Sequence, residues 1–185
     1  VNTEAIGLEA VGVKLTDRGF IQVNPATLET TVKGVYSIGD VAGPPMLAHK
    51  GTREGIHVAE VIAGHHPKAI DYSNVPSVTY CHPEVASIGL TEEQAKEQKL
   101  DYQVGRFPFS ANGRARAMGE ATGFVKILAD RATGRLVGAH AVGEEAATLV
   151  HLFIALMLNG GPLGDLRRMI FLHPALPELC PLFPF

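Results

Sequence analysis

The run Gly34-Val35-Tyr36-Ser37-Ile38-Gly39-Asp40 constrains the fold of this chain more than any other feature. Four residues between two glycines are too few for a helix, and so short an apolar run suits a buried strand. After a Gly/Pro-rich loop, residues 46–63 place Leu47, Ile56, Ala59, Ile62 and Ala63 at spacings compatible with one helical face, and Gly64 stops the pattern. Strand, Gly-Asp loop and helix is the grammar of a cofactor site, because open α/β sheets bind ligands beyond the carboxyl ends of their strands. A shorter strand signal, Phe20-Ile21-Gln22-Val23, precedes it and ends at Asn24-Pro25.

The stretch from His65-His66-Pro67 to Asn74 is polar and breaks the pattern, so a domain boundary is expected near residue 72. Beyond it, strands are predicted at 75–80, 86–90, 102–109, 123–129 and 135–142, the last two joined by the turn-like Asp130-Arg131-Ala132-Thr133-Gly134. That arrangement makes an antiparallel sheet. Thr91-Glu92-Glu93-Gln94 is a capping box that opens a short helix. Residues 144–158 are almost wholly apolar after Glu145, which predicts a helix buried on most sides or used at a subunit contact, closed by Gly160-Gly161-Pro162.

Composition narrows the function classes. With 185 residues, 46% of them hydrophobic, the chain can bury a substantial core, and disorder is excluded as a reading. A formal charge of −3 with scattered Lys and Arg offers no phosphate-binding run, which argues against nucleic acid. Cys81 and Cys180 stand far apart without CxxC spacing, so neither a disulfide framework nor a zinc site is indicated, no metal ligands are assigned, and a reducing cytoplasm fits. No stretch approaches the roughly 20 apolar residues of a membrane span. The chain opens without methionine and runs at once into Glu4-Ala5-Ile6-Gly7-Leu8-Glu9, as though cut from something longer.

Two constellations carry chemistry. At the first, Gly39 permits close backbone approach, and the Asp40 carboxylate can accept hydrogen bonds from vicinal hydroxyls such as those of a flavin's ribityl chain. Met46-Leu47-Ala48-His49 begins the following helix, where free backbone N–H groups favour partial negative charge such as a flavin's pyrimidine carbonyl. By itself a Gly-Asp dipeptide is an ordinary turn, and only the surrounding pattern raises it. At the second, His173 and Glu178 stand five residues apart around Pro174 and Pro177. A carboxylate on one ring nitrogen fixes the tautomer and raises the basicity of the other, as a proton acceptor for a thiol requires. A lone His with a Glu is more often structural. His65 and His66 read as a solvated turn, His140 and His151 as satisfied core histidines, and both cysteines as unreactive. The chain contains no GxGxxG, no Walker loop and no CxxxxC or CxxC pair.

The runs Gly34 to Asp40, Met46-Leu47-Ala48-His49-Lys50, Cys81-His82-Pro83-Glu84-Val85-Ala86-Ser87-Ile88-Gly89-Leu90-Thr91-Glu92, Phe107-Pro108-Phe109-Ser110-Ala111-Asn112-Gly113-Arg114-Ala115 and His173-Pro174 together resemble the dihydrolipoamide dehydrogenases, flavin-dependent disulfide oxidoreductases. The resemblance spans nearly the whole chain. It implies an α/β remnant of an FAD-binding domain over residues 1–72. An α+β interface (dimerisation) domain, an antiparallel sheet flanked by helices, would occupy 73–185. It also implies a homodimer, with FAD and NAD as cofactors and a dihydrolipoyl substrate. A possible further partner is the peripheral subunit-binding domain of a 2-oxo acid dehydrogenase acyltransferase. Asp40 would hold the ribityl chain, the backbone at Leu47-Ala48-His49 would meet the flavin ring, His173 would be the base with Glu178 as its orienting partner, and the His173-Pro174 bond would be cis. The adenine-binding glycines, redox cysteines and NAD-binding domain of such enzymes are not in this chain, which is therefore expected to be inactive and not to retain FAD alone. The chain departs from the family at Phe171, where a second histidine is common, at Ala175 and Pro177, which replace the usual Thr and Ser, and in its Pro181 and Pro184 tail. These changes bear on substrate rather than fold, and leave a mercuric or other disulfide reductase, or a non-catalytic dimerisation module, as alternatives.

Overall fold

The computed structural model describes residues 1–180, so the tail with Pro181 and Pro184, expected to oppose a helix, lies outside the described residues. The chain divides into two compact units, Val1–Tyr72 and Ser73–Phe185.

The first unit is built on one long helix, α1 (Ala48–Ile62), and a set of turns closed over Val13, Phe20, Ile21 and Leu28. The strands expected at 20–23 and 35–38 are present only as isolated bridges, Leu15↔Ile21, Val23↔Thr30 and Glu29↔Tyr36. The cause is local. Gly34 and Gly39 both take left-handed backbone angles (φ 79° and 72°), which turn the chain at each end of the run and leave room for a single ladder pair. Nor is the run buried: Val35 and Ile38 are exposed, and Ser37 is its one buried residue.

Helix α1 also reverses an expectation. Its buried positions are Lys50, Glu54, His57 and Val58, while Ile56 and Ile62, expected on the inner face, point outward. Polar side chains go inside because each finds a partner there; His57 Nε2–H, for example, donates to the Ala26 carbonyl at 2.8 Å.

The second unit is a five-stranded antiparallel sheet in the order β1-β2-β5-β4-β3, with β1 Ser77–Thr79, β2 Glu84–Gly89, β3 Tyr102–Pro108, β4 Phe124–Asp130 and β5 Leu136–Gly143. Burial alternates along β4 until a register shift at Leu128/Ala129, around which three consecutive residues, Ile127, Leu128 and Ala129, are buried. The capping box forms as read: in α2 (Glu92–Glu97), the Gln94 N–H donates to Thr91 Oγ1 at 3.2 Å, and the Thr91 N–H donates to Gln94 Oε1 at 2.9 Å. Asn112 caps the short α3 (Gly113–Met118) by accepting the Ala115 N–H at 2.9 Å.

The apolar segment forms α4 (Ala146–Leu158), packed on β2 and β5 through Ala146, Leu149, Val150 and Phe153. Its N-terminus has no local side-chain cap; Glu84 of β2 supplies one from across the fold, accepting the Ala147 N–H at 3.0 Å. His151, expected in the core, is exposed, its Nδ1–H donating to the Ala147 carbonyl one turn back at 2.8 Å. A short α5 (Gly164–Arg168) and a 3₁₀ turn, Leu176–Leu179, complete the unit.

Two predictions arise from this packing. Burial holds His140 below the usual histidine range, with the Leu90 carbonyl opposing. A folded value below the unfolded one means that the unfolded chain binds more protons as pH falls below about 6.5, so stability is full above that pH and lost below it. Chemical denaturation at pH 7.5 and 5.5 is expected to show this loss for the parent and a smaller one for His140→Gln. Cys180 is fully buried, which pushes its thiol up to about 12, whereas Cys81 is exposed. A thiol reagent at pH 8 is expected to label Cys81 alone in the native chain and both cysteines after denaturation; native labelling of Cys180 would contradict the packing.

Candidate functional site

The Gly39–Asp40 turn is held by α1. A 3₁₀ turn covers Gly39–Ala42, and the Asp40 side chain is exposed at its start. A Cβ on Gly51 of α1 would stand 3.2 Å from the Gly39 Cα, so the helix backbone lies against the turn at that glycine. Around Gly39, buried Lys50 and Glu54 form a closed network. Lys50 Nζ donates to the carbonyls of Gly39 (2.8 Å) and Gly43 (2.9 Å) and pairs with Glu54 Oε1 at 3.2 Å. Glu54 Oε2 accepts the Gly39 N–H at 2.7 Å, and Oε1 accepts the Tyr72 hydroxyl at 2.8 Å. Desolvation and the neighbouring carboxylate push the Tyr72 hydroxyl up to about 12, so it stays a donor. The helix itself begins at Ala48 with Leu47 as an extended N-cap; Met46 precedes it and is exposed, and no side chain caps the end. Ala48 and His49 thus stand in the first turn, where backbone N–H groups lack helical acceptors.

In the second unit, His173 and Glu178 are brought together. His173 Nδ1 lies 2.8 Å from Glu178 Oε1, and Glu178 Oε2 accepts the Ala175 N–H at 2.8 Å. The Ala175 N–H and then the His173 hydrogen bond hold the Glu178 carboxyl below the usual carboxylate range. Because the folded value is lowered, this tie is present at neutral pH and is lost as pH falls through that value. An ionised Glu178 makes Nδ1 the donor, which leaves Nε2 as the ring's acceptor. That acceptor faces outward, since the His173 side chain is 81% exposed against 25% for Glu178. The His173–Pro174 bond is cis. The departures from the family pattern do not disturb this pair: Phe171 packs on the core, Ala175 contributes only its backbone N–H, and Pro177 lies in the 3₁₀ turn. Leu172, Ala175 and Pro177 also border a cavity of about 320 Å³ against Thr148, Leu149 and Leu152 of α4.

Several residues were not singled out by sequence reasoning. Buried Asn112, besides capping α3, donates through Nδ2 to the Ala175 carbonyl at 3.0 Å and so steadies the histidine loop. An Asn before a short helix is a legible cap signal, but its second bond joins positions 63 apart. Lys50 and Glu54, four apart, were visible as a helical pair but not as a buried one. His82, Glu120 and Glu144 bring their donor atoms within 4.8 Å of one another, a grouping of metal-ligand type that no spacing announced. It is a half-exposed site in which His82 Nε2 already pairs with Glu120 Oε2 at 3.4 Å.

Comparison with known proteins bears on both units. The family described as pyridine nucleotide-disulphide oxidoreductase, dimerisation domain, matches residues 75–181, and the one described as pyridine nucleotide-disulphide oxidoreductase matches residues 1–55. A dihydrolipoyl dehydrogenase of Rhizobium etli is 51% identical over 96% of this chain and 37% of its own length. One from Thermus scotoductus is 47% identical over 95% of the chain and 38% of its own length. The mitochondrial dihydrolipoyl dehydrogenase 1 of Arabidopsis thaliana is 44% identical over 95% and 34%. The chain therefore spans little more than a third of the curated relatives it matches. Among solved structures, a Cu(II) complex of the HOCl-induced flavoprotein disulfide reductase RclA of Escherichia coli superposes with a TM-score of 0.92 at 29% identity, covering 98% of this chain and 42% of that one. LpdA of Mycobacterium tuberculosis gives 0.91 at 25%, covering 97% and 39%. By the family match across most of its length, the chain belongs to the pyridine nucleotide-disulphide oxidoreductases.

Proposed function

We propose that this chain is the part of a dihydrolipoyl dehydrogenase that supplies one wall of the flavin site and the acid-base histidine for dihydrolipoamide oxidation. The observation that carries the reading is the His173–Glu178 contact of 2.8 Å, which leaves an exposed ring acceptor. In this reading residues 1–72 are the end of an FAD-binding domain and 73–185 the interface domain. The residues fit a flavin: an exposed carboxylate follows a left-handed glycine beside an uncapped helix start, at Gly39, Asp40, Ala48 and His49. FAD, when bound, carries electrons between a redox disulfide and NAD⁺. His173 Nε2 takes the thiol proton of the substrate, and Glu178 stabilises the imidazolium that forms. The two unpaired cysteines fit a reducing compartment such as the cytoplasm. The test is NADH formation from dihydrolipoamide and NAD⁺ by a full-length protein containing these residues. Turnover of Hg(II) or of another disulfide with no dihydrolipoamide activity would favour the reductase alternative.

The 185-residue chain by itself is expected to release FAD on gel filtration, because its sequence carries no glycine-rich pyrophosphate turn. Tight one-to-one retention would refute this. The unit is also expected to pair with a second copy. Met169, Ile170 and Leu172 form an exposed apolar strip beside His173. Sedimentation showing a stable, non-aggregating monomer at micromolar concentration would count against the dimer. A colourless dimer from the full-length protein would favour the non-catalytic module. Docking of an acyltransferase peripheral subunit-binding domain is a further proposal, tested by co-sedimentation.

A further inference from the structure

We propose that Lys50 and Glu54 are positioning residues that set the Gly39–Asp40 turn for the flavin by gripping both backbone groups of Gly39; this rests on the flavin reading above. A buried ion pair is a poor device for stability alone, since desolvating two charges costs several kcal/mol and apolar replacements of the same volume serve as well or better. The particular contribution of this pair is directional. All three ammonium hydrogens of Lys50 are used, on Gly39, Gly43 and Glu54, and Glu54 returns to the Gly39 N–H. One helical turn thereby pins the residue before Asp40 on both sides and the turn's exit at Gly43. Gly51 lies between the two charged residues and lets the helix come close enough for them to reach. Ala175, in the histidine loop, is held in the same way, at its N–H by Glu178 and at its carbonyl by Asn112. With the turn fixed in advance, the Asp40 carboxylate meets a polyol without first being ordered, and that ordering cost is absent from binding.

The test uses the full-length flavoprotein, stripped of flavin and titrated with FAD by fluorescence quenching, with thermal unfolding of the apoprotein measured in parallel. Glu54→Gln keeps the shape and one acceptor oxygen, and is expected to weaken FAD binding about tenfold, a change worth about 1.4 kcal/mol. In an Asp40→Ala background the same substitution is expected to cost little further affinity, because the pair acts through Asp40. The double variant Lys50→Met/Glu54→Leu removes both charges at once. It is expected to recover apoprotein stability relative to either single replacement while its FAD affinity stays about ten- to a hundredfold below the parent's. Parent-like FAD affinity in the double variant, or losses from Glu54→Gln and Asp40→Ala that simply add, would overturn the positioning role and leave a purely structural ion pair. A parent protein that binds no FAD at all would overturn the flavin reading and this inference with it.

Discussion

In a full-length flavoprotein containing this chain, His173→Ala is expected to slow dihydrolipoamide oxidation by roughly 10²–10⁴-fold, the range for loss of a general base. The magnitude follows from the geometry. The Nδ1–H is committed to Glu178 at 2.8 Å, so Nε2 is the ring atom available to a thiol proton, and alanine leaves nothing in its place. FAD content and dimerisation are expected to be unchanged, because the histidine side chain is 81% exposed and supports no core contact. Glu178→Gln is expected to cost less. The amide can still accept the Nδ1–H or the Ala175 N–H, but it cannot stabilise the imidazolium by charge. Steady-state kinetics with flavin occupancy measured on the same samples decides the matter: turnover near the parent rate in His173→Ala with flavin bound would reduce this histidine to a structural one.

The largest loss of stability is expected from Phe153→Ala, at about 3–5 kcal/mol. Phe153 is fully buried at the centre of α4, in the same cluster as Ile88, Val125, Ile127 and Leu149, which come from β2, β4 and α4 itself. Truncation there opens a cavity that two strands and a helix cannot all collapse into, and the lost transfer energy adds to the cavity cost. Urea denaturation followed through the transition of the second unit is expected to show a much lower midpoint at a nearly unchanged slope. Leu158→Ala on the same helix is the control. Leu158 is 71% exposed, and its replacement is expected to change stability by about 0.5 kcal/mol or less, so similar losses from the two would contradict the packing.

Much of the second unit was legible because its signals are local. The strands predicted at 102–109 and 123–129, the turn at 130–134 and the Thr91–Gln94 box each need only neighbouring residues to act, and the two strands formed within one residue of those bounds, at Tyr102–Pro108 and Phe124–Asp130. His173 and Glu178 are likewise near in sequence, and the prolines between them leave few ways to avoid one another. What sequence could not show depended on partners far along the chain. The polar face of α1 turned inward because Gly39, Gly43 and Ala26 offer it carbonyls, an exchange that apolar periodicity does not encode. The run at 35–38 missed being a strand because a ladder is a property of two segments, and the left-handed glycines at its ends allowed only one pair. The cap on α4 from Glu84 and the tie from Asn112 to Ala175 each close a gap of 63 residues. Local propensity decided which elements this chain makes; hydrogen-bonding groups brought together by the fold decided which of its charged side chains are buried and what they hold in place.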